Sequence, residues 1–155
     1  MIIALYLAKG AGTVKLMSAS PHDQPDIDLN YLAEGFDRQR FREAVRLCVK
    51  IAEQSAFDGI VEELINPAGD DLASDDALDS WLRRTVRTSH HVSGTCKMGP
   101  ASDPMAVVDP QLQVHGIEGL RVADASIMPD CIRANTNATT IMIGERCADF
   151  IKEGK

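Results

Sequence analysis

The stretch "RTSHHVSGTCKMG", residues 87–99, sets two of the chain's four histidines side by side and places a cysteine five residues beyond the second. Three chemistries use these residue types. A metal ion could draw on His90, His91 and Cys96, but neighbours in an extended segment point to opposite sides, so adjacent histidines rarely share one ion. A Cys96 thiolate paired with a histidine needs a base and an orienting group defined in space, and spacing alone supplies neither. A histidine acting as general base fits pH 7, because neutral imidazole with an unperturbed pKa near ~6.5 readily takes a proton. The plain alternative is one histidine in a loop and the other hydrogen-bonded in a core. No metal ligand set is assigned.

The composition bounds the classes of protein that could present such a stretch. With 45% hydrophobic and 25% charged residues in 155, the chain has the mixture of an ordinary globular domain able to bury a core. A net charge of −7 disfavours a surface for phosphate backbones or anionic lipid, so no nucleic-acid partner is expected. Cys48, Cys96, Cys131 and Cys147 are widely spaced and form no C-x-x-C pair, which argues for reduced thiols and a cytoplasmic location. The apolar opening "MIIALYLA" is too short to cross a bilayer and has no preceding positive residues, so no membrane segment or secretory signal is expected.

Several elements are expected to position the stretch. The runs "IIALYLA" (2–8) and "TVKLMSA" (13–19) read as two strands of a hairpin joined by "KGAG", the first of them buried, and the Pro- and Asp-rich segment 20–30 as a loop. From about residue 32 to 54 the spacing of Phe41, Ala44, Val45, Cys48 and Ala52 predicts a helix. Arg38, Arg42, Arg46 and Lys50 form a second stripe on it, read as a solvated face offset by Glu34, Glu43 and Glu53. Ser74 before "DDALDSWLRRTV" reads as the N-cap of a second helix, with acids in its first turn and arginines in its last, ending just before the histidines. Short strand-like pieces follow, "AVVD", "LQVHG" and "LRVADAS", and a last helix is expected to begin near Asn137 or Ala138. Helices and strands alternate without a βαβ repeat, so the fold class is α+β. No G-x-G-x-x-G is present, because "GAGTVK" puts Lys15 where the third glycine would fall, and there is no phosphate-binding P-loop.

Three motifs, "HVSGTCKMG", "VVDPQLQVHGIEGLRVADASIMPD" and "ANTNATTIMIGERCADFI", resemble in order and spacing the C-terminal part of the glucose-methanol-choline (GMC) family of FAD-dependent oxidoreductases. "GTVKLMSASPHDQPDIDLNYL" is similar to the strand and loop that precede that family's first substrate-domain helix. The resemblance implies a substrate-binding portion, a sheet with flanking helices carrying the catalytic histidine, over 1–99. It also implies a C-terminal segment, 100–155, that completes a Rossmann-like FAD domain supplied by another polypeptide. His91, four residues before Thr95, matches the base that takes the hydroxyl proton of a small alcohol while hydride passes to flavin N5. Asn135 matches the residue that hydrogen-bonds the substrate oxygen. Asp124 and the amide of Ala125 match contacts to the ribityl-pyrophosphate region of FAD, and Asn137, Thr139 and Thr140 match contacts to the flavin pyrimidine edge. The implied partner is a second polypeptide bearing the N-terminal FAD-binding half. Two alternatives stay open: a hydroxynitrile lyase of the same family, and a non-catalytic subunit stabilising an FAD-binding partner. Asn135 and Asp124 also have plain readings, as turn residues.

Overall fold

The first long helix, α1, runs Gly35–Ala52 in the computed structural model, which describes residues 1–155. Its apolar stripe faces inward at Val45, and α2, Asp75–Thr85, answers with Leu78 and Leu82. These three and Leu32 form a buried cluster onto which Ile3, Phe41, Leu72, Trp81 and Val86 pack. Burying a side chain of this size contributes about 1.5–3 kcal/mol, so a few such residues account for the pairing of two short helices. The Ser74 hydroxyl accepts from the Ala77 amide at 3.1 Å, and Asp75, Asp76, Arg83 and Arg84 complement the dipole at the two ends of α2 as the sequence predicts.

The basic stripe on α1 is not a solvated face balanced by glutamates. Arg38 and Arg42 both reach Asp79 on α2, at 3.3 and 2.7 Å, and Arg42 and Arg46 reach Asp75 at 3.3 and 2.6 Å. The stripe therefore clasps the two helices, and its partners are aspartates roughly thirty to forty residues away in the chain, not local glutamates. Sequence periodicity finds a face but not what lies opposite it.

The N-terminal hairpin also differs from expectation. Residues 2–8 form no strand, and Met1 and Ile2 are exposed. A strand needs a ladder partner for its backbone groups, and here α1 side chains take that place. Arg40 donates to the carbonyls of Tyr6 and Leu7, while the buried Asp37 carboxylate accepts from the amides of Lys9 and Gly10. The observed hairpin joins β1, Thr13–Lys15, to β2, Asp26–Asp28, antiparallel with Val14 opposite Ile27. The strand expected over 13–19 is thus confined to three residues, and the segment 20–30 is not all loop. At Gly12 any Cβ would collide with the Asp28 carbonyl, so the strand entry requires glycine.

By packing, the chain forms two compact units, Met1–Thr88 and Ser89–Lys155. The second is built on a core of Val108, Leu112, Ile127, Met128, Ile143 and Cys147. Its strand-like pieces make only isolated bridges, Met98 to Val108, Val108 to Val114 and Gln113 to Arg121, because Pro100, Pro104, Pro110, Gly116 and Gly119 interrupt every longer run. The last helix, α3, spans Asn137–Lys152 and inserts Ile143 and Cys147 into this core. Three helices with a small sheet and bridges make an α+β mixture. No helix is long and apolar enough to cross a membrane.

Candidate functional site

All seven sequence-designated residues lie in the second unit. The chain leading through the histidines is shaped by two left-handed backbone positions, His90 at φ 63° and Gly94 at φ 85°. A Cβ on Gly94 would stand 3.5 Å from the Met128 carbonyl, so the strain of a substitution would come from φ itself and not from crowding. Beyond this turn the backbone is tied down: the amides of Cys96 and Met98 donate to the carbonyls of Ser126 and Ile127 at 2.9 and 2.8 Å. Lys97 holds Asp103 at 2.7 Å, and that ammonium, with the Met105 amide, keeps the Asp103 carboxyl below its ordinary pKa.

His91 is half-buried and held by the segment that precedes α3. Its Nδ1 lies 3.0 Å from the Thr136 hydroxyl oxygen, and its carbonyl lies 3.7 Å from the Cys131 sulfur, whose one proton has a nearer acceptor in the Ile132 carbonyl at 3.6 Å. Thr136 is only 7% exposed and stands at the N-cap position of α3, yet its side chain makes no capping bond. Threonine at an N-cap usually bonds the next turn. Here the backbone is helical, with φ −77° and ψ −15°, and the hydroxyl bonds His91 instead. The Thr136 carbonyl accepts from both the amide and the hydroxyl of Thr140, each at 2.9 Å.

These contacts sort the remaining residues. Asn135 is exposed and directly precedes Thr136, so its Cα is about 3.8 Å from the Thr136 Cα. Asn137 and Ala138 are exposed in the first turn of α3. The amides of residues 137–139 have no acceptor within the helix and no side-chain cap from Thr136, leaving an open, electropositive end. Thr139 is half-buried beside them. Thr140 has committed its proton to the Thr136 carbonyl and can offer only lone pairs. Asp124 is exposed and caps a 3-10 turn, Ala125–Ile127, through a 2.8 Å bond from the Ser126 amide, which occupies one carboxylate oxygen. Ala125, first in that turn, has no acceptor for its amide inside it.

One neighbouring histidine takes a structural part. His115 donates from Nε2 to the Gly99 carbonyl at 3.0 Å. The four cysteines are unpaired with one another, and no three His, Cys, Asp or Glu side chains converge. Thr136 is the residue that sequence reasoning missed. It sits between two designated asparagines in "NTN", and nothing local distinguishes a capping threonine from one turned toward a histidine 45 positions earlier.

Comparison with known proteins gives a consistent set of relatives. A family model described as "GMC oxidoreductase" matches residues 8–144. The chain is 50% identical over 141 residues to the oxygen-dependent choline dehydrogenase of Cronobacter sakazakii, covering 91% of this chain and 25% of that protein. It is 46% identical over 149 residues to the protein of the same name in Rhizobium rhizogenes, covering 96% and 27%. Among solved structures, it is similar to a formate oxidase of Aspergillus oryzae studied for FAD modification, with TM-score 0.84, 35% identity and coverage of 95% of this chain and 25% of the other. A pyridoxine 4-oxidase from Mesorbium loti is similar with TM-score 0.79 and 35% identity, over 89% of this chain and 26% of the other. The chain spans about a quarter of the length of the curated relatives it matches.

Proposed function

The chain belongs to the GMC oxidoreductase family, whose C-terminal part it represents, and from that premise we propose that it supplies the substrate side of an FAD-dependent, alcohol-oxidising active site. The Rossmann-type FAD-binding half lies outside these 155 residues and joins residues 100–155 to complete the cofactor domain, while residues 1–99 contribute to the substrate domain. His91 takes the hydroxyl proton of the substrate. Asn135 donates its amide N–H to the oxygen as negative charge develops, a kind of contact whose removal in other enzymes costs about 2.7–4 kcal/mol of transition-state stabilisation. FAD, when bound, supplies the acceptor for the hydride that leaves the carbinol carbon.

The observation that supports this reading is the hydrogen bond between His91 and Thr136, which ties the histidine to the residue that follows Asn135 at the uncapped start of α3. In this reading His91 accepts the proton and Asn135 stabilises the resulting oxyanion. The exposed first turn of α3 supports a cofactor edge there, because open helix amides and small residues favour close approach of an electron-rich group. Asn137 and Thr139 would hold that edge, with Thr140 as acceptor only. Asp124, with one oxygen left beside its cap, and the amide of Ala125 would hold the chain of the cofactor farther away. The names of the relatives make choline the first alcohol to try.

The test is anaerobic mixing of the assembled flavoprotein with choline and other small alcohols. Loss of the oxidised-flavin absorbance is expected with at least one of them. A flavin that binds and never bleaches would contradict the reading and favour lyase chemistry in its place.

A further inference from the structure

We propose that Thr136 is a positioning residue for His91, accepting the Nδ1–H of the neutral ring and so leaving Nε2 as the nitrogen that takes the substrate proton. The proposal rests on the reading of His91 as the base. A hydroxyl 3.0 Å from Nδ1 can bond it in either sense. If the hydroxyl donated, Nε2 would carry the ring proton and the one basic nitrogen, Nδ1, would be occupied by Thr136 instead of being open to substrate. If the hydroxyl accepts, Nε2 is free before the reaction, and Nδ1–H keeps its acceptor after Nε2 has been protonated, because both nitrogens of imidazolium are donors. Only the second sense permits the ring to act as a base while its orientation is unchanged across proton transfer.

Three features of Thr136 argue for this use. Its side chain is buried, so the hydroxyl needs a protein partner. It occupies an N-cap position without capping, which removes the ordinary explanation for a threonine there. Its own carbonyl is fixed by two bonds from Thr140, one turn into α3, so the helix start that presents the hydroxyl is itself held.

The experiment measures the anaerobic flavin-reduction rate constant and the substrate dissociation constant in the assembled flavoprotein for Thr136→Val, Thr136→Ser and His91→Ala, and for the Thr136→Val, His91→Ala double variant. Valine keeps the shape and removes the oxygen. Expected is a loss of about tenfold or more in the rate constant for Thr136→Val, in line with other residues that hold a catalytic or ligating histidine, with substrate affinity and FAD content little changed. Thr136→Ser should recover most of the rate, and Thr136→Val should add nothing once His91 is alanine. A wild-type rate for Thr136→Val beside a slow His91→Ala would overturn the positioning role and leave the base intact. An equal further loss in the His91→Ala background would also overturn it, since Thr136 would then act elsewhere. A wild-type rate for His91→Ala would defeat the base reading itself. Should Thr136→Val fail to fold, the nitrogen-15 shifts of His91 in the unmodified enzyme decide: a protonated Nδ1 supports the proposal and an unprotonated Nδ1 overturns it.

Discussion

His91 Nδ1 and the Thr136 hydroxyl oxygen lie 3.0 Å apart although 45 positions separate them in the chain. This bond gives a loop histidine a defined ring partner and ties it to the start of α3. Asn135 and Asn137 flank Thr136 in the chain.

Replacing Asn135 by alanine should lower flavin reduction by about 10²- to 10³-fold, as loss of a single oxyanion donor does elsewhere. Substrate binding should weaken far less, because the charge that Asn135 meets exists only as the proton leaves. Single-turnover kinetics separates the two. A change confined to substrate affinity would remove Asn135 from the chemistry.

The two adjacent histidines should behave differently. His90 is exposed and in the left-handed region, and the base role falls to His91 in this reading, so His90→Ala should leave the flavin-reduction rate within about tenfold of the parent, well short of the effect of losing a general base. A loss as large as that from His91→Ala would mean the base has been assigned to the wrong neighbour.

Much of this arrangement was legible in the sequence, and what was not has physical causes. α2 and α3 were readable because a cap, dipole-matched charges and helical spacing are local properties. The Arg38, Arg42 and Arg46 stripe was visible but its partners were not, since Asp75 and Asp79 become neighbours only when two helices pack. Residues 2–8 had strand-like side chains but no ladder partner, because Arg40 and Asp37 on α1 satisfy the backbone around residues 6–10. Thr136 was invisible for the same reason as the stripe's partners: its role depends on a residue far away in sequence. His91, Asn135, Asp124, Ala125, Asn137, Thr139 and Thr140 follow from family resemblance; Asn135 to Thr140 lie at the start of α3, Asp124 and Ala125 at the 3-10 turn, and His91 reaches the former through Thr136.

The α1–α2 pair should depend on Asp79 and Leu78 for different reasons. Asp79→Ala removes one carboxylate from two guanidinium groups that keep other acceptors, Arg38 the Leu32 and Ala33 carbonyls and Arg42 Asp75, and should cost about 0.5–1.5 kcal/mol. Leu78→Ala opens a void at a fully buried position and should cost about 2–5 kcal/mol. Amide hydrogen exchange of α2 reads both as lost protection. Unchanged protection in Leu78→Ala would contradict the packing described.

Acid should release the clasp between Lys97 and Asp103. The Asp103 carboxyl is held below its ordinary value of 3.8 by the Lys97 ammonium and then by the Met105 amide. A depressed folded-state value means the contribution is complete above the unfolded value and disappears as pH falls through the folded one. The melting-temperature difference between the parent and Asp103→Asn should therefore be present at about pH 7 and be lost as pH falls below the ordinary carboxylate value of 3.8. A difference independent of pH would show that the carboxylate charge contributes nothing.

The most direct test of the account is the rate of anaerobic flavin reduction by alcohol in the assembled enzyme carrying His91→Ala, with FAD content measured in the same sample. A base that acts on substrate contributes to catalysis and little to cofactor affinity. The account predicts a fall of about 10²- to 10⁴-fold with FAD still bound. Reduction within about tenfold of the parent enzyme would contradict it and return His91 to a structural role.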